Sequence, residues 1–202
     1  MKTKTIALAA LTSIAAVCVP AHADFSGPTA PASWTIANTG TLIGASPTFG
    51  TAVFSPTQLV LTGSNTLSDE LGCSGATYSV LGPCATTASL ALNGTYSFHW
   101  SYLTGDGGGP AGDMFGVTVN GISTTLSNLG GAVAQSGDAT FAASSFGWFL
   151  NCTDCIGGAA TTTISNFTFT QAVPEPETYA LMLAGLGALA LMAGRKRRAG
   201  RA

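Results

Sequence analysis

The sequence predicts an all-β fold, an antiparallel β-sandwich or jelly-roll-like single domain flanked by two apolar ends. Segments rich in Val, Thr, Phe, Trp and Tyr recur between clusters of Gly, Pro, Asn and Asp, and none has a sustained helical period. The pair Asn120-Gly121 separates two such segments, which is a strong signal for a two-residue hairpin. About 150 residues remain between the two ends, which is the size of one ordinary domain.

Side-chain alternation is clearest between Gly94 and Leu103, where Tyr96, Phe98, Trp100 and Tyr102 fall on one face. Successive side chains of a strand point to opposite faces, so we expect this aromatic face to be core. Many short strands with tight turns favour a sandwich or a jelly roll. The predicted strands are Ser33 to Asn38, Thr51 to Phe54, Gln58 to Thr62, Thr86 to Leu92, Gly94 to Leu103, Met114 to Asn120, Ile122 to Ser127, Asp138 to Ala143, Phe146 to Asn151 and Ala160 to Thr170.

The charged side chains are distributed unevenly. The cations all lie before residue 5 or after residue 194: Lys2, Lys4, Arg195, Lys196, Arg197, Arg198 and Arg201. Between residues 24 and 172 the ionisable side chains are Asp24, Asp69, Glu70, His99, Asp106, Asp113, Asp138 and Asp154. A domain without Lys or Arg cannot release counterions from a phosphate backbone, so nucleic acid is excluded as a partner. We also expect no salt bridge within the domain.

Residues 1–23 have the organisation of a secretory signal peptide. Two lysines precede a short apolar run, and Ala21 and Ala23 supply the small residues that signal peptidase requires. We predict cleavage before Asp24. A permanent N-terminal anchor is disfavoured because the apolar run is short and the cleavage site comes directly after it. A lipoprotein at Cys18 is disfavoured by the residues that precede this cysteine.

The other end, residues 173–202, combines a proline-containing motif, an apolar helix and a basic tail. The motif is Val173-Pro174-Glu175-Pro176, and its prolines oppose regular helix or strand pairing, which leaves the peptide accessible to a processing enzyme. The predicted transmembrane helix, 179–194, spans roughly 24 Å, which is marginal for a hydrocarbon core of about 30 Å. The basic tail, 195–202, is expected to stay cytoplasmic by the positive-inside rule, with the body of the protein outside.

This order of motif, helix and basic tail resembles the PEP-CTERM sorting signal of Gram-negative bacteria. The resemblance implies that an exosortase, a membrane cysteine protease, recognises the tail and removes it at or near Val173-Pro174-Glu175-Pro176 during export to the cell surface. The expected partners are signal peptidase, exosortase, exopolysaccharide and, through the C-terminal helix, the membrane. The alternative is a permanent single-span anchor.

The middle of the chain also resembles a domain of unassigned function that recurs in PEP-CTERM proteins. This resemblance implies a β-sandwich and no activity, and the four cysteines of the present domain depart from it. It rests on Trp100-Ser101-Tyr102, on Gly105 to Phe115 with Gly116-Val117-Thr118-Val119-Asn120-Gly121 after it, on Gln135-Ser136-Gly137 and on Ile164-Ser165-Asn166-Phe167.

Four cysteines, Cys73, Cys84, Cys152 and Cys155, remain once the signal is removed. An even number in an oxidising compartment indicates disulfides, and of the three possible connectivities we favour Cys73 with Cys84 and Cys152 with Cys155. Zinc binding by four thiolates also fits the count but is disfavoured by the oxidising exterior. The spacing of Cys152 and Cys155 is that of a redox centre, yet the region is predicted as strand and turn, without the helix N-terminus that lowers a thiol pKa.

Few residues suggest a cofactor or catalysis. Asp106 and Asp113 flank a glycine-rich loop and are weak calcium candidates. A solvated hairpin is the favoured interpretation of this loop, because only two acids are present and the spacing of a calcium loop is absent. His99 is the only histidine of the domain, and alternation places it on the outward face, so a serine triad is disfavoured. A hydrolase with two facing carboxylates has no positive signal. We therefore predict no catalytic residue, no cofactor and no enzyme activity.

Taken together, the sequence favours a non-catalytic, exported cell-surface or extracellular-matrix protein, associated with exopolysaccharide and biofilm as the resemblance implies. The alternative is a carbohydrate-binding module on the cell surface, in which exposed aromatic rings stack on sugars. Trp34, Trp100 and Trp148 are the candidates for such a platform, although we expect each to be buried. An exposed coplanar row would support this alternative, and full burial would remove it. A secreted hydrolase is the third hypothesis.

Overall fold

The structure, a computed structural model, describes residues 22–42, 48–65, 73–74, 84–153, 155, 157–172 and 179–189. The described strands lie in one compact unit, Pro20–Ala172, and a helix over residues 179–189 lies in a second unit. The all-β prediction is confirmed for the domain, since two large antiparallel sheets and one two-stranded sheet lie in the first unit. Much of the predicted signal peptide (1–21), the motif 173–176 and the basic tail lie outside the described residues.

The two large sheets enclose the core. The first has the order β11-β8-β13-β5-β4, with β1 also paired to β13; the second has the order β10-β9-β12-β7-β2; β3 and β6 form a separate pair. Three short 3₁₀ helices cover Gly27–Thr29, Pro31–Ser33 and Gly109–Ala111. The strands are β1 His22–Ala23, β2 Thr35–Asn38, β3 Thr41–Leu42, β4 Thr51–Phe54, β5 Gln58–Thr62, β6 Cys73–Ser74, β7 Cys84–Leu90, β8 Gly94–Leu103, β9 Asp113–Val119, β10 Ile122–Thr125, β11 Ala134–Ala143, β12 Phe146–Cys152 and β13 Thr161–Gln171.

Aromatic side chains fill the space between the sheets. Tyr96, Phe98, Trp100 and Tyr102 of β8 are all buried, so the predicted core face is confirmed. From the opposite sheet, Phe146, Trp148 and Leu150 of β12 point into the same cluster. Ring pairs at centroid distances of 4.5–6.5 Å run through this cluster, the range in which aromatic pairs add to the energy of burial.

Every predicted strand occurs, with small differences at its ends. The hairpin prediction is also confirmed, because Val119 pairs with Ile122 across Asn120 and Gly121. Both turn residues have left-handed backbones, with φ of 51° and 82°, as a type I′ turn requires. Strands β1, β3 and β6 were not predicted, since two residues are too few to show alternation.

Candidate functional site

The residues predicted to direct delivery fall mostly outside the described chain. Val173, Pro174, Glu175, Pro176 and Ala21 all do so. On the domain side, strand β13 ends at Gln171, and the Ala172 N–H donates to the Asn93 carbonyl at 2.9 Å. The folded domain is therefore held by hydrogen bonds up to the residue immediately before the predicted motif.

The described part of the C-terminal tail is a helix over residues 179–189. Its large apolar side chains are exposed on every side: Tyr179, Leu181, Met182, Leu183, Leu186 and Leu189. Within the described ranges, the structure contains no helix that is both long and apolar enough to cross a membrane.

The predicted signal-peptidase site adjoins the first sheet. Ala23 pairs with Thr168 in the β1–β13 ladder, and the Asp24 N–H donates to the Phe167 carbonyl at 2.7 Å. Asp24 has a left-handed backbone, with φ of 71°, which ends strand β1. Cleavage before Asp24 stays a prediction, and it would separate the two residues of β1 from the domain.

Three cysteines meet at one end of the sandwich. Strands β7 and β12 place Cys84 directly opposite Cys152, and the Cys152 Sγ contacts the Cys84 carbonyl oxygen at 3.4 Å. A disulfide joins Cys152 to Cys155, in agreement with the prediction. Cys84 is also disulfide-bonded. The side chain of Cys73 lies outside the described residues, so the pairing of Cys73 with Cys84 stays a prediction.

The same cysteines bear on the metal and redox alternatives. The Sγ atoms of Cys84, Cys152 and Cys155 lie within 4.8 Å of one another, and among the described residues no other group of three potential ligand side chains is this close. Thiolates at such spacing suit zinc, but the sulfurs here are oxidised. Strand β12 ends at Cys152 in a bend, without the helix N-terminus on which a CxxC redox centre depends.

The calcium candidates lie beside this cysteine cluster. Asp113 pairs with Cys152 across β9 and β12 and is buried, and its Oδ2 accepts a hydrogen bond from the Thr104 hydroxyl at 2.7 Å. Thr104 also accepts from the Asp106 N–H at 3.0 Å, and Asp106 Oδ1 in turn accepts from the Gly108 N–H. Both carboxylates thus have donors within the protein. This network shapes the glycine-rich loop, and the calcium hypothesis stays a prediction.

Two buried tyrosines have raised pKa values. Burial raises the pKa of Tyr102 well above its usual range, a hydrogen bond with the Thr104 side chain lowers it in part, and the nearby charges of Asp113 and Asp106 raise it further. Burial likewise raises the pKa of Tyr96, whose hydroxyl donates to the Leu92 carbonyl. Both phenols therefore stay protonated at neutral pH and act as structural hydrogen-bond donors.

His99 faces outward, as predicted. Its Nδ1 lies 2.9 Å from Oδ1 of Asp138, the residue opposite it on β11, and the two side chains are 35% and 85% exposed. This pair corrects the expectation of a domain without an ion pair, because it becomes one when His99 is protonated. No hydroxyl group among the described residues hydrogen-bonds to His99, so it does not form a serine dyad there.

The three tryptophans are core residues. Trp34, Trp100 and Trp148 are 6%, 7% and 0% exposed. Trp34 stacks on Trp148 with ring centroids 4.8 Å apart, and the Trp34 indole N–H donates to the Thr29 carbonyl at 3.0 Å. None of them can present a ring face to a sugar, so the tryptophan platform of a carbohydrate-binding module is absent.

Comparison with known families concerns the tail. The model of the PEP-CTERM protein-sorting motif matches residues 172–198. The chain therefore carries a PEP-CTERM protein-sorting motif. The match covers the predicted motif, the predicted helix and the first part of the basic tail, and it begins one residue after β13 ends. The predicted resemblance to exosortase substrates is confirmed for this segment.

Comparison with solved structures gives weak similarities, and no curated protein matches the chain. The K2 cleaved adhesin domain of Lys-gingipain is 12% identical, with 75% of this chain and 98% of that chain covered and a TM-score of 0.36. The N-terminal cellulose-binding domain of Cellulomonas fimi β-1,4-glucanase C is 12% identical, with 72% and 92% covered and a TM-score of 0.29. A family 29 carbohydrate binding module is 11% identical, with 72% and 97% covered and a TM-score of 0.28. Similarities at this level say nothing about a ligand of the present chain.

Sequence reasoning missed how the cysteine end is assembled. Cys84 and Asp113 are each register partners of Cys152, although they lie on different strands. Only the pairing of β12 between β7 and β9 brings them together, and no local pattern indicates that order. Thr104, whose hydroxyl donates to the Asp113 carboxylate and accepts from the Asp106 backbone N–H, carried no signal of its own.

Proposed function

We propose that this chain is an exported, non-catalytic cell-surface or extracellular-matrix protein that exosortase sorts and cleaves, and that associates with exopolysaccharide in biofilm. Signal peptidase removes residues 1–23 on this route. The observation that carries the proposal is the PEP-CTERM protein-sorting motif at residues 172–198, which comes directly after the last strand.

The organisation of the chain supports delivery and then release. The apolar helix, predicted over 179–194, and the basic tail 195–202 hold the chain in the membrane until exosortase acts. Strand β13 ends at Gln171, so cleavage at residues 173–176 leaves every described strand of the domain in place. The mature product is then the sandwich alone.

The described polar groups support a non-catalytic domain. Asp113 accepts a hydrogen bond from Thr104, and burial raises the pKa values of Tyr96 and Tyr102, which keeps both phenols protonated at neutral pH. His99 pairs with an exposed carboxylate at the surface. These groups stabilise the sandwich and its loops and give no support to an activated nucleophile or a general base.

The test is the intact mass of the protein recovered from membrane and culture fractions of its native host, with both termini sequenced and cysteine pairs mapped without reduction. We expect a mature form that begins at Asp24, ends near Val173 and is lighter by four hydrogen atoms because two disulfides have formed. A membrane form that retains residues 195–202 would show a permanently anchored protein, and the sorting proposal would fail.

A matched pair of variants locates the cleavage signal. Glu175→Ala changes the motif Val173-Pro174-Glu175-Pro176, whereas Glu177→Ala removes the same charge just outside it. We expect full-length protein to accumulate in the membrane fraction for Glu175→Ala and normal processing for Glu177→Ala. Equal processing of both variants would contradict recognition of the motif.

A further inference from the structure

A groove of about 630 Å³ crosses the outer face of the second sheet. Its floor is one register row over four strands, in which Thr35 pairs with Ser89, Ser89 with Gly147, and Gly147 with Thr118. We call this surface the hydroxyl groove, since three of the four floor residues carry a hydroxyl group. Its volume is within the range of about 300–1,000 Å³ that is typical of ligand sites.

Gly147 keeps the middle of the floor low. A Cβ atom at this position would lie 2.9 Å from the Ala88 carbonyl oxygen and 3.1 Å from the Ser89 Cβ. Any larger residue would push Ser89 aside and fill the groove. The Ser89 hydroxyl donates a long hydrogen bond of 3.4 Å to the Thr35 carbonyl, and its oxygen can still accept from a ligand.

One wall of the hydroxyl groove is rigid before any ligand arrives. Asn120 Oδ1 accepts hydrogen bonds from the Ser144 N–H at 2.8 Å, the Ser144 hydroxyl at 2.9 Å and the Ser145 N–H at 3.2 Å. The Asn120 N–H donates to the Ser145 carbonyl at 2.9 Å. These bonds tie the β9–β10 turn to the β11–β12 turn. A preformed wall lowers the entropy cost of binding.

The chemistry of the lining selects a neutral ligand. No residue that lines the groove is ionisable, and apolar groups of Pro28 and Leu92 lie beside the hydroxyl groups. A charged ligand would lose hydration without gaining a counter-charge, which costs free energy. A pyranose ring has the matching character, with apolar C–H faces and hydroxyl groups at its edge.

We infer that the hydroxyl groove binds a segment of a neutral polysaccharide. This inference rests on the proposed function, which places the domain outside the cell beside exopolysaccharide. The carbohydrate-binding module predicted on a tryptophan platform is ruled out by the burial of all three tryptophans, and the hydroxyl groove is a different surface that none of them lines. Without aromatic stacking we expect weak binding at each site, with a dissociation constant of roughly 1 mM. When many copies bind one polysaccharide matrix together, the overall affinity is much higher than that of a single site.

The test uses the mature protein from the native host in affinity electrophoresis against a neutral glucan, acidic alginate and basic chitosan. We expect the neutral glucan alone to retard the protein, equally at low and high salt, because uncharged partners are not screened. Ser89→Tyr fills the groove, and we expect it to weaken retardation at least tenfold. The matched control is Thr140→Tyr, which changes another exposed strand hydroxyl on the outer face of the first sheet.

Four outcomes would overturn the inference: no retardation by the neutral glucan, retention by alginate or chitosan that salt abolishes, equal retardation of the two tyrosine variants, or a dimer in sedimentation that only Ser89→Tyr dissociates. The last would assign the groove to a second copy of the chain. Failure of the proposed function has a different readout: an intact mass that still includes residues 195–202. Glucan binding by the domain does not depend on tail cleavage, so the two failures can be distinguished.

Discussion

Replacing Trp148 tests how the sandwich core is held together. Its side chain is fully buried, and its ring centroid lies 4.8 Å from that of Trp34, 5.0 Å from that of Phe146 and 5.3 Å from that of Phe98. It therefore joins β12 to β8 and to the segment before β2. Truncating a buried tryptophan to alanine costs about 3–5 kcal/mol.

The expected change is large against the whole stability of a domain of this size, which is about 5–15 kcal/mol. Since each kcal/mol shifts Tm by about 2–4 °C for a domain of about 150 residues, we expect Trp148→Ala to lower Tm by about 6–20 °C. The assays are thermal unfolding for Tm and urea unfolding for the free energy, both monitored by circular dichroism with the disulfides intact. Val53→Ala, at a side chain that is 61% exposed, serves as the control and should change stability by less than about 0.5 kcal/mol.

A second variant at the same position makes the reasoning falsifiable. The Trp148 Nε1 atom is buried and has no hydrogen-bond partner among the described residues. Phenylalanine keeps an aromatic ring and removes this unsatisfied donor, whose burial costs about 1–3 kcal/mol. We therefore expect Trp148→Phe to cost less than about 1.5 kcal/mol. Equal losses for Trp148→Phe and Trp148→Ala would refute the conclusion that the indole N–H is unpaired.

Three further predictions concern the turn, the tyrosines and the surface pair. In urea unfolding, Asn120→Ala should destabilise the domain by about 1 kcal/mol more than Asn120→Gly. Both variants lose the same side-chain hydrogen bonds, but only alanine is strained at the left-handed φ of 51°. Equal losses would contradict this reasoning. In alkaline titrations by circular dichroism, the contribution of the buried tyrosines to stability should be constant below about pH 10 and fall above it, with a limiting slope of about 1.4 kcal/mol per pH unit for a tyrosine that is ionised in the unfolded chain and protonated in the folded domain. The reason is that Tyr96 and Tyr102 have raised pKa values in the folded state, so the unfolded chain loses protons first; Tyr102→Phe should make the fall shallower, and an unchanged slope would count against this. His99→Ala should change the free energy of unfolding by less than about 1 kcal/mol, because its pair with Asp138 is exposed, and a larger loss would indicate a buried role.

The parts of the fold that the sequence predicts well are those that depend on local chemistry. The aromatic residues from Tyr96 to Tyr102 show the period of a strand, and Asn120-Gly121 has the residues of a type I′ turn. Sheet order depends instead on distant pairings such as Thr161 with Thr62, and short-range alternation carries no information on them. Strand β1 illustrates the same limit, since its two residues, His22 and Ala23, pair with residues of β13 that lie far away in the sequence.

The sorting motif and the hydroxyl groove also differ in how far each can be predicted from the sequence. The sorting motif can be predicted because its function depends on contiguous residues, Val173 to Pro176, and on the apolar and basic composition of the residues C-terminal to them. The hydroxyl groove could not be predicted, since Thr35, Ser89, Thr118 and Gly147 are chemically ordinary and come from four strands. A row of hydroxyl groups exists only once the register of those strands is known.

The position of β13 links folding to delivery. It is the last strand of the domain, yet it lies inside the first sheet, paired with β8 on one side and with β5 and β1 on the other. The first sheet is therefore incomplete until Gln171 is in place, and pairings over such sequence separations form slowly. The segment that matches the PEP-CTERM protein-sorting motif begins at the next residue, Ala172. On the proposed route, cleavage therefore falls directly after the strand that completes the first sheet.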